Sequence, residues 1–507
     1  MRTPSRRHAR VLLAVVLVLS AGAVLSSYAR ADSVEAGGPA TGYDDVAIPA
    51  DDGVPREPVP ETSPRSDGPD TTLDRSRLDD AGNLTVVATQ GFFVSDEDAE
   101  LVAFDRDGEV VFHDDSYRVY FDVDPVPGRK ATVEYVAARH LKGEDCEVTP
   151  RCTYNVFRRV NLSTGADREV YGEVTPRIYS ARWHDVDRVN DTHVAIADIE
   201  DDSVRVVNTT SDETTWRWHA SEAYDRDQGG QEGDWTHVND VEVLADGRIM
   251  ASVRNMDQVV FLDPGAGVQD NWTLGTDDDH DTLYEQHNPD YIPPKHGGPA
   301  ITVADSENGR VLEYQRVDPE TGNATARPDG EWRRAWGWQD ARLQWPRDAD
   351  RLPGDTTLVV DTHGDRVVEV APNGTVVWSQ TVGMPYDVER LGTGDESTGG
   401  RPTRAMNDRP STSDDSALSA LVGGDTAVTH PDRGIVGTLW TVLRSLAPSL
   451  LVNGLLFAGP SWLRFPDLVF GLVAVVTAAA WAGTELYWAG YRPLERLRSL
   501  SRRTLRR

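Results

Sequence analysis

Three histidines and one arginine occupy matching positions in a repeated segment of this sequence. His184 stands in WHDV, His237 in WTHVNDV, His287 in QHNPD and Arg347 in WPRDA. Imidazole acts as a nucleophile or an acid near neutral pH, and a guanidinium group binds oxyanions through several N–H donors. Brought together, these side chains would form a cationic site suited to an anion with several oxygens, such as sulfate, phosphate or a carboxylate.

Two further residues belong to this candidate site. Arg254 stands where the other copies of the repeat carry a hairpin aspartate, and Asn239 follows two positions after His237. The hairpin aspartates are Asp198, Asp305 and Asp361. We interpret these aspartates as turn residues that cap their own backbone. For each histidine, the alternative is a structural role in which the imidazole hydrogen-bonds the neighbouring repeat.

The repeat itself predicts how these residues meet. Short apolar runs alternate with turn residues, and the unit recurs about every 50 residues, which is typical of a β-propeller blade. We place the six blades at residues 83–115, 118–175, 181–220, 235–275, 285–335 and 345–380. A seventh inner segment, Pro385 to Val388, is expected to pair with the first blade and close the ring. The sequence thus predicts an all-β, six-bladed propeller, with five or seven blades as alternatives. In such a ring, matching positions of different blades converge on one axis.

Composition narrows the classes of partner. The net charge is −32, and 48 Arg stand against three Lys. A surface this acidic and this poor in lysine suggests adaptation to concentrated salt. It argues against nucleic acid as a partner, because phosphate binding needs a basic face.

The two cysteines, Cys146 and Cys152, stand close together in GEDCEVTPRC. In an exported protein this spacing favours a disulfide that closes a short hairpin. A metal site would need further ligands nearby, and we find none at this spacing. Because we attribute the carboxylates to hairpins, the sequence predicts neither a metal nor another cofactor.

Both ends of the chain carry membrane signals. Residues 1–31 predict a signal peptide or an uncleaved anchor. Residues 468–490 predict a transmembrane helix, and the arginine-rich tail after it predicts a cytoplasmic C-terminus. The remaining segments are a disordered tether at 32–75, the propeller at 80–392, a disordered linker at 393–432, an amphipathic membrane-surface segment at 433–465 and the basic tail at 491–507. The propeller is therefore expected outside the cytoplasm, tethered to the cell membrane.

Five short motifs, in this order, resemble the arylsulfate sulfotransferase family. They are WHDVD at 183–187, WTHVNDV at 235–241, SVR at 252–254, QHN at 286–288 and ADSENGR at 304–310. The resemblance implies a six-bladed propeller that moves a sulfuryl group from a phenolic sulfate to another phenol. At one point the sequence departs from the family, because Arg254 is followed by Asn255 rather than by histidine.

By this resemblance, His287 matches the nucleophilic histidine, which would form a sulfohistidine intermediate. His184, His237, Asn239 and Arg254 match the residues that hold the sulfate oxygens, and Arg347 adds a further cation by its position in the repeat. The expected partners are a small aryl sulfate and a phenol, together with the membrane. Two other classes stay open, namely a non-catalytic propeller that binds an anion and a quinoprotein dehydrogenase.

Overall fold

The computed structural model describes residues 6–37, 84–91, 99–146, 149–340, 342–406, 428–429, 443, 446–460 and 462–489. The chain divides into two compact units. One contains residues 41–458, and the other contains residues 1–40 and 459–507. Most of the predicted tether at 32–75 and the whole basic tail at 491–507 lie outside the described residues.

Six sheets form the propeller in the larger unit, as the sequence predicts, and their strands are antiparallel except for β26 (Val428–Thr429), which pairs parallel with β20 (Glu331–Trp338). Blade 1 contains β1 (Thr85–Thr89), β2 (Leu101–Phe104), β3 (Val110–Asp114) and β25 (Pro385–Arg390). Blade 2 contains β4 (Val119–Pro125), β5 (Thr132–Lys142), β6 (Arg151–Asn161) and β7 (Ala166–Thr175). Blade 3 contains β8 (Val186–Asn190), β9 (His193–Asp198), β10 (Ser203–Asn208) and β11 (Glu213–His219).

The other three blades follow the same plan. Blade 4 contains β12 (Val238–Val243), β13 (Ile249–Val253), β14 (Gln258–Asp263), β15 (Gly267–Val268) and β16 (Leu274–Gly275). Blade 5 contains β17 (His287–Ile292), β18 (Ala300–Asp305), β19 (Arg310–Val317), β20 (Glu331–Trp338) and β26 (Val428–Thr429). Blade 6 contains β21 (Pro346–Asp348), β22 (Thr357–Asp361), β23 (Arg366–Val370) and β24 (Val376–Thr381).

Short 3₁₀ helices occupy several of the connections. They are Gly143–Asp145, Ala220–Glu222, Arg254–Met256, Asp270–Trp272, Pro294–His296, Thr362–Gly364, Glu396–Gly399 and Thr403–Ala405. The α-helices are α1 (Arg6–Gly37), α2 (Ser449–Phe457) and α3 (Phe465–Trp488).

A separate hydrophobic cluster lies between each pair of neighbouring blades. Val136 and Trp183, for example, pack between blades 2 and 3, and Val87 and Val360 pack between blades 1 and 6. The apolar runs of the sequence are buried on both faces of each sheet because every blade is sandwiched between two others. Burial of this surface holds the ring together.

The ring closes through β25, as predicted. This strand pairs antiparallel with β1, with Val86 opposite Glu389 and Val87 opposite Val388. The innermost strand of blade 1 therefore comes from the end of the propeller sequence, whereas its other three strands come from the beginning. One blade thus joins the two ends of the domain.

The hairpin aspartates do more than cap their turns. Asp198 pairs with Arg205, with 2.9 Å between Oδ2 and Nε, and Asp361 pairs with Arg366 at 2.7 Å. Asp361 also accepts a hydrogen bond from the backbone N–H of Gln344. Each of these two aspartates therefore links neighbouring strands by an ion pair.

The predicted linker at 393–432 begins too early. Its first part is ordered against the propeller, because Ser397 is fully buried and donates a hydrogen bond to Asp290 over 2.6 Å. Thr403 donates to Glu313, and Arg401 pairs with Asp355. A segment rich in Gly, Ser, Thr and Asp has the composition of disordered chain, yet here these polar groups find fixed partners. The linker residues 407–427 lie outside the described part of the chain.

Helices α1 and α3 form the smaller unit. Each contains a stretch long and apolar enough to cross a membrane, Arg6–Tyr28 and Phe465–Trp488. Arg10 donates to both carboxylate oxygens of Glu485, over 2.5 and 2.6 Å, and Tyr28 packs edge-on against Trp462. These contacts join opposite ends of the two helices, which therefore run antiparallel. Helix α1 also continues to Gly37, past the predicted boundary at residue 31.

Candidate active site

The predicted histidines and Arg347 lie where the inner strands begin. His184 precedes β8, His237 precedes β12, His287 opens β17 and Arg347 lies within β21. The rings of His184 and His237 are 5.3 Å apart, centroid to centroid. The repeat thus brings these side chains together at one end of the central channel, the space that the innermost strands of the six blades surround.

Tyr386 connects the members of this group. Its ring centroid lies 5.7 Å from that of His184 and 6.1 Å from that of His287, and the Arg347 guanidinium carbon lies 5.5 Å from the same ring. Its hydroxyl has no hydrogen-bond partner among the described residues. Burial raises the pKa of Tyr386, so the hydroxyl stays protonated and acts as a donor.

Sequence reasoning missed Tyr386, although a signal was present. Tyr386-Asp387-Val388-Glu389 aligns with Arg347-Asp348-Ala349-Asp350 of the preceding blade. We used this segment only to close the ring. Phe121, which stacks on His184 with centroids 4.2 Å apart, occupies the same position in blade 2 and was also missed.

Hydrogen bonds fix the tautomer of His287. Ser306 donates its hydroxyl proton to the carbonyl of Pro346 over 2.7 Å, so its oxygen accepts a bond from Nδ1 of His287, 2.9 Å away. The Glu285 carbonyl, 3.1 Å away, also accepts from Nδ1. The proton therefore sits on Nδ1, and Nε2 carries a lone pair. This Nε2 is buried and has no partner among the described residues.

The surroundings of His287 also keep it neutral. Burial, followed by the nearby charges of Arg347 and Arg254, holds its pKa well below the ordinary value of 6.5. A neutral imidazole with a free lone pair is the nucleophilic form. Protonation state and geometry thus both suit nucleophilic attack by Nε2.

His184 and His237 have different partners. His184 donates from Nδ1 to the Arg182 carbonyl over 3.1 Å, whereas His237 donates from Nδ1 to the Asp234 carboxylate over 2.7 Å. Burial lowers the pKa of both, helped by His237 for the first and by Arg254 for the second. Asp234 opposes this shift, so His237 accepts a proton more readily than a lone buried imidazole would.

The positive charges of Arg254 and Arg347 are neutralised to different extents by neighbouring carboxylates. Arg254 pairs with Glu285 over 2.8 Å but leaves its Nε without a partner among the described residues. Arg347 is 4% exposed and forms no ion pair with any residue that the structure describes. Its guanidinium lies flat over Trp345, 3.7 Å from the ring centroid. Burial lowers the pKa of Arg347 to about 10, which still leaves it cationic at neutral pH.

A cation in this environment calls for an anion. Burying an uncompensated charge is costly, and an oxyanion bound beside Arg347 would remove that cost. Arg182, a partly buried cation, lies with its guanidinium carbon 5.2 Å from the ring centroid of Phe121 and strengthens the positive field; sequence analysis did not single it out.

Asn239 plays a supporting part in the structure. Its amide Nδ2 donates to the Gln286 carbonyl over 3.0 Å, and its fully buried Oδ1 has no partner among the described residues. The residue therefore fixes the backbone immediately before His287. This contact connects blades 4 and 5 at the site.

The predicted disulfide is present. Cys146 and Cys152 are joined, with their Cα atoms 5.7 Å apart, and they close the turn between β5 and β6. Strand β6 is separated from the channel by β5 and β4. The disulfide therefore stabilises an outer hairpin of blade 2 and takes no part in the site.

Helix α2 packs against the rim next to Arg347. Phe457 contacts the ring of Trp345, the ring that Arg347 covers, with centroids 5.6 Å apart. Asn453 donates to Glu307 over 2.9 Å and accepts a bond from Gln344. Leu450, Leu451 and Leu455 stay exposed on the helix. The segment predicted to lie on a membrane surface thus holds its polar residue against the propeller.

No protein-family profile matches the sequence, and no curated protein is significantly similar to it. Solved structures with a similar fold include the periplasmic gluconolactonase PpgL of Pseudomonas aeruginosa, at 14% identity and a TM-score of 0.38, covering 60% of this chain and 98% of that one. A protein from Lactobacillus plantarum matches at 13% identity and a TM-score of 0.39, covering 61% and 98%. Virginiamycin B lyase of Staphylococcus aureus matches at 5% identity and a TM-score of 0.32, covering 62% and 88%. The sheet order of this chain, rather than these similarities, makes it a six-bladed β-propeller.

Proposed function

We propose that the protein transfers a sulfuryl group from an aryl sulfate ester to a phenolic acceptor, through a sulfohistidine at His287. One observation carries the proposal: the lone pair on Nε2 of His287 lies in the field of Arg347, a buried cation without an anionic partner among the described residues. The site thus combines a nucleophile with a place for an oxyanion. The resemblance of its motifs to arylsulfate sulfotransferases adds the choice of sulfur as the electrophile.

In the first half-reaction, Nε2 of His287 attacks the sulfur and the bond from sulfur to the aryl oxygen breaks. The negative charge on the three sulfuryl oxygens is stabilised by Arg347, by the Nε of Arg254 and by the Tyr386 hydroxyl. The departing phenolate takes a proton from His237, whose imidazolium form Asp234 stabilises. Positioning and charge stabilisation supply most of the catalysis, as in phosphoryl transfer.

The second half-reaction reverses these steps with a new phenol. Its hydroxyl oxygen attacks the sulfur, the bond from sulfur to Nε2 breaks, and His237 takes the phenolic proton. The sum is one aryl sulfate and one phenol converted into the other phenol and the other aryl sulfate. His184 is the least suited to proton transfer, because its Nδ1 faces a carbonyl rather than a carboxylate, and we assign it to binding.

We further propose that α1 and α3 anchor the protein in the cell membrane with the propeller outside. Two apolar helices support the membrane association. The positive-inside rule supports the orientation, because arginines cluster at the start of α1 and after the end of α3 in the sequence.

The test uses the full-length protein in detergent and concentrated salt, with a chromogenic aryl sulfate and a phenol. We expect chromophore release, a sulfated second phenol, and a mass increase of one SO₃ on the peptide that contains His287 when the acceptor is withheld. His287→Ala should abolish all three. The matched control is His296→Ala, which removes an exposed histidine and should leave them unchanged.

Two results would contradict the proposal. One is transfer by His287→Ala at the parental rate. The other is saturable binding of sulfate esters without turnover by any donor, which would make the propeller a non-catalytic anion-binding module.

A further inference from the structure

The opposite end of the channel is lined with carboxylates. Every inner strand carries acidic residues after the position that contributes to the histidine site, as in Arg347-Asp348-Ala349-Asp350 of β21 and the residues that follow it. At about 3.3 Å per residue along a strand, Asp350 lies about 10 Å further along the channel than Arg347. The channel thus has a cationic end and an acidic end.

Some of these carboxylates have structural partners. Asp387 accepts a hydrogen bond from the backbone N–H of Val123 over 2.7 Å, and Asp122 accepts one from Val186 over 3.2 Å. Such bonds tie each inner strand to the next blade around the ring. They account for the repetition of the acidic residues without any ligand.

Four carboxylates form a tighter group, and among the hydrogen bonds that the structure describes only Asp348 accepts one of this kind, from the backbone N–H of Val388 over 3.1 Å. One oxygen from each of Asp290, Asp348, Asp350 and Glu396 lies within 4.8 Å of the others. The three aspartates are at most 1% exposed. No Lys, Arg or His among the described residues forms an ion pair with any of the four, and the neighbouring Arg351 pairs with Glu313 instead.

Asp350 gives an independent indication of a ligand. Neither of its carboxylate oxygens receives a hydrogen bond from any donor that the structure describes, although the residue is 1% exposed. Water would supply such donors at a surface. A buried carboxylate in this position must share a proton with its neighbours or bind a cation.

The geometry favours a hard divalent cation. All the candidate ligands are oxygens, which suits Ca²⁺ or Mg²⁺ rather than a transition metal. Ligands on opposite sides of a calcium ion, each about 2.4 Å from it, are about 4.8 Å apart, and the four oxygens lie close enough together to surround one such ion. Calcium also tolerates irregular, carboxylate-rich sites, whereas magnesium demands a regular octahedron and retains its waters.

We propose that Asp290, Asp348, Asp350 and Glu396 bind one calcium ion, which fastens the Glu396–Gly399 turn to the acidic end of the channel. The ion would join blade 5, blade 6 and the segment that follows β25. It would therefore support ring closure without touching the histidine site.

The test measures calcium content and thermal unfolding of the full-length protein in detergent. The parent is first treated with a chelator and transferred to metal-free KCl, and Ca²⁺ is then added. Mass spectrometry of the metal eluted from the protein should find one calcium per chain. Its Tm should rise by several degrees with millimolar Ca²⁺, at an ionic strength matched with KCl. Magnesium should give a smaller shift.

Asp350→Asn removes one charge and keeps the shape of the side chain. We expect this variant to lose the bound calcium and the calcium-dependent shift, while its chelator-treated form is at least as stable as the chelator-treated parent. The matched control is Asp278→Asn, an exposed aspartate near Asp257 and His280, and this variant should behave as the parent does.

Three outcomes would overturn the proposal. The first is a parent chain that neither retains calcium nor responds to it, which would mean that the carboxylates share protons. The second is a calcium-dependent rise in Tm that persists in Asp350→Asn. The third is the loss of this rise in the control variant Asp278→Asn. If Asp350→Asn fails to fold, the calcium stoichiometry of the parent still decides the first point.

Discussion

The chemistry of His287 depends on a hydroxyl group that touches no substrate. Ser306 donates to the Pro346 carbonyl and accepts from Nδ1 of His287, so the lone pair is placed on Nε2. Two residues on different blades thereby set the reactive form of a third. Ser306 is a positioning residue by this argument.

Ser306→Ala should lower kcat about tenfold, equivalent to about 1.4 kcal/mol, which is the size of a single hydrogen bond. KM should change little, because Ser306 does not contact the sulfate oxygens. Steady-state kinetics with a chromogenic aryl sulfate measure both values. A rise in KM at constant kcat would assign Ser306 to binding instead.

The pKa of His287 predicts the pH dependence of the first half-reaction. Burial and the nearby arginines depress this pKa below 6.5, so the neutral nucleophile persists as the pH falls through 6.5. The rate of sulfohistidine formation should rise as the pH falls from 7.5 to about 6, because His237 gains the proton that it donates while the more strongly depressed His287 stays neutral, and it should decline only at lower pH. Rapid-quench measurements across this range check the profile.

The variant Arg347→Gln tests whether the nearby cation sets the pKa of His287. Removing this cation should raise the pKa of His287, so the acid limb of the profile should move to higher pH while the rate falls. The depressed pKa of His287 also makes the free energy of unfolding depend on pH. The contribution of His287 to this free energy is fully present above pH 6.5 and is lost as the pH falls through the folded-state pKa. An acid limb that does not move in Arg347→Gln would contradict the assigned coupling.

At the scale of elements, helix α2 depends on one polar contact pair at the rim. Asn453 bridges Glu307 and Gln344, all of which are buried. The helix also contacts the rim through apolar side chains such as Phe457, but it belongs to no sheet and can detach without disturbing one. The rim beside Arg347 is therefore the element boundary most open to change.

Asn453→Ala should leave Glu307 and Gln344 without this partner and weaken docking of α2 by about 1 to 3 kcal/mol. We expect faster amide hydrogen exchange in α2 and unchanged exchange in the inner strands. Leu450→Ala, which alters an exposed position of the same helix, is the matched control. Equal protection of α2 in both variants would contradict this role.

The fold was predictable because its signal repeats. Turn residues and apolar runs recur in each blade, and the matching positions of His184, His237 and Arg347 follow from that period alone. The partners of these residues were not predictable. Asp234 reaches His237 within one turn, and Ser306 reaches His287 from the end of the adjacent strand of the same blade; no periodicity encodes such contacts.

The acidic end of the channel shows a different limit of sequence reasoning. We attributed the carboxylates to hairpins, whereas Asp290, Asp348 and Asp350 lie on or next to inner strands and converge only when the ring is closed. Glu396 joins them from a segment whose composition predicts disorder. A cluster assembled from distant parts of the chain leaves no spacing to recognise.

At the scale of the whole molecule, the antiparallel contact of α1 with α3 bears on the fate of the N-terminus. Arg10 and Glu485 satisfy each other at one end of the pair, and Tyr28 meets Trp462 at the other. A cleaved signal peptide has no need of such contacts. The arrangement therefore favours a retained anchor over a signal peptide.

Intact-mass analysis of the protein purified from its native membrane should accordingly find residues 1–31 still attached. Glu485→Gln should weaken the association of α1 with α3, measured by cross-linking between cysteines introduced at Tyr28 and Trp462. A mature chain that begins near residue 32 would establish cleavage and contradict the anchor.

Strand β25 completes the ring of blades and also carries Tyr386 to the histidine site. During synthesis, β1 can pair with β2 early, but its other edge stays unpaired until the residues of β25 have left the ribosome, and Tyr386 arrives with that strand. A product of interrupted translation that stops before this strand would lack both the strand that closes the ring and the Tyr386 hydroxyl. Both the closed ring and the complete histidine site therefore require translation through β25.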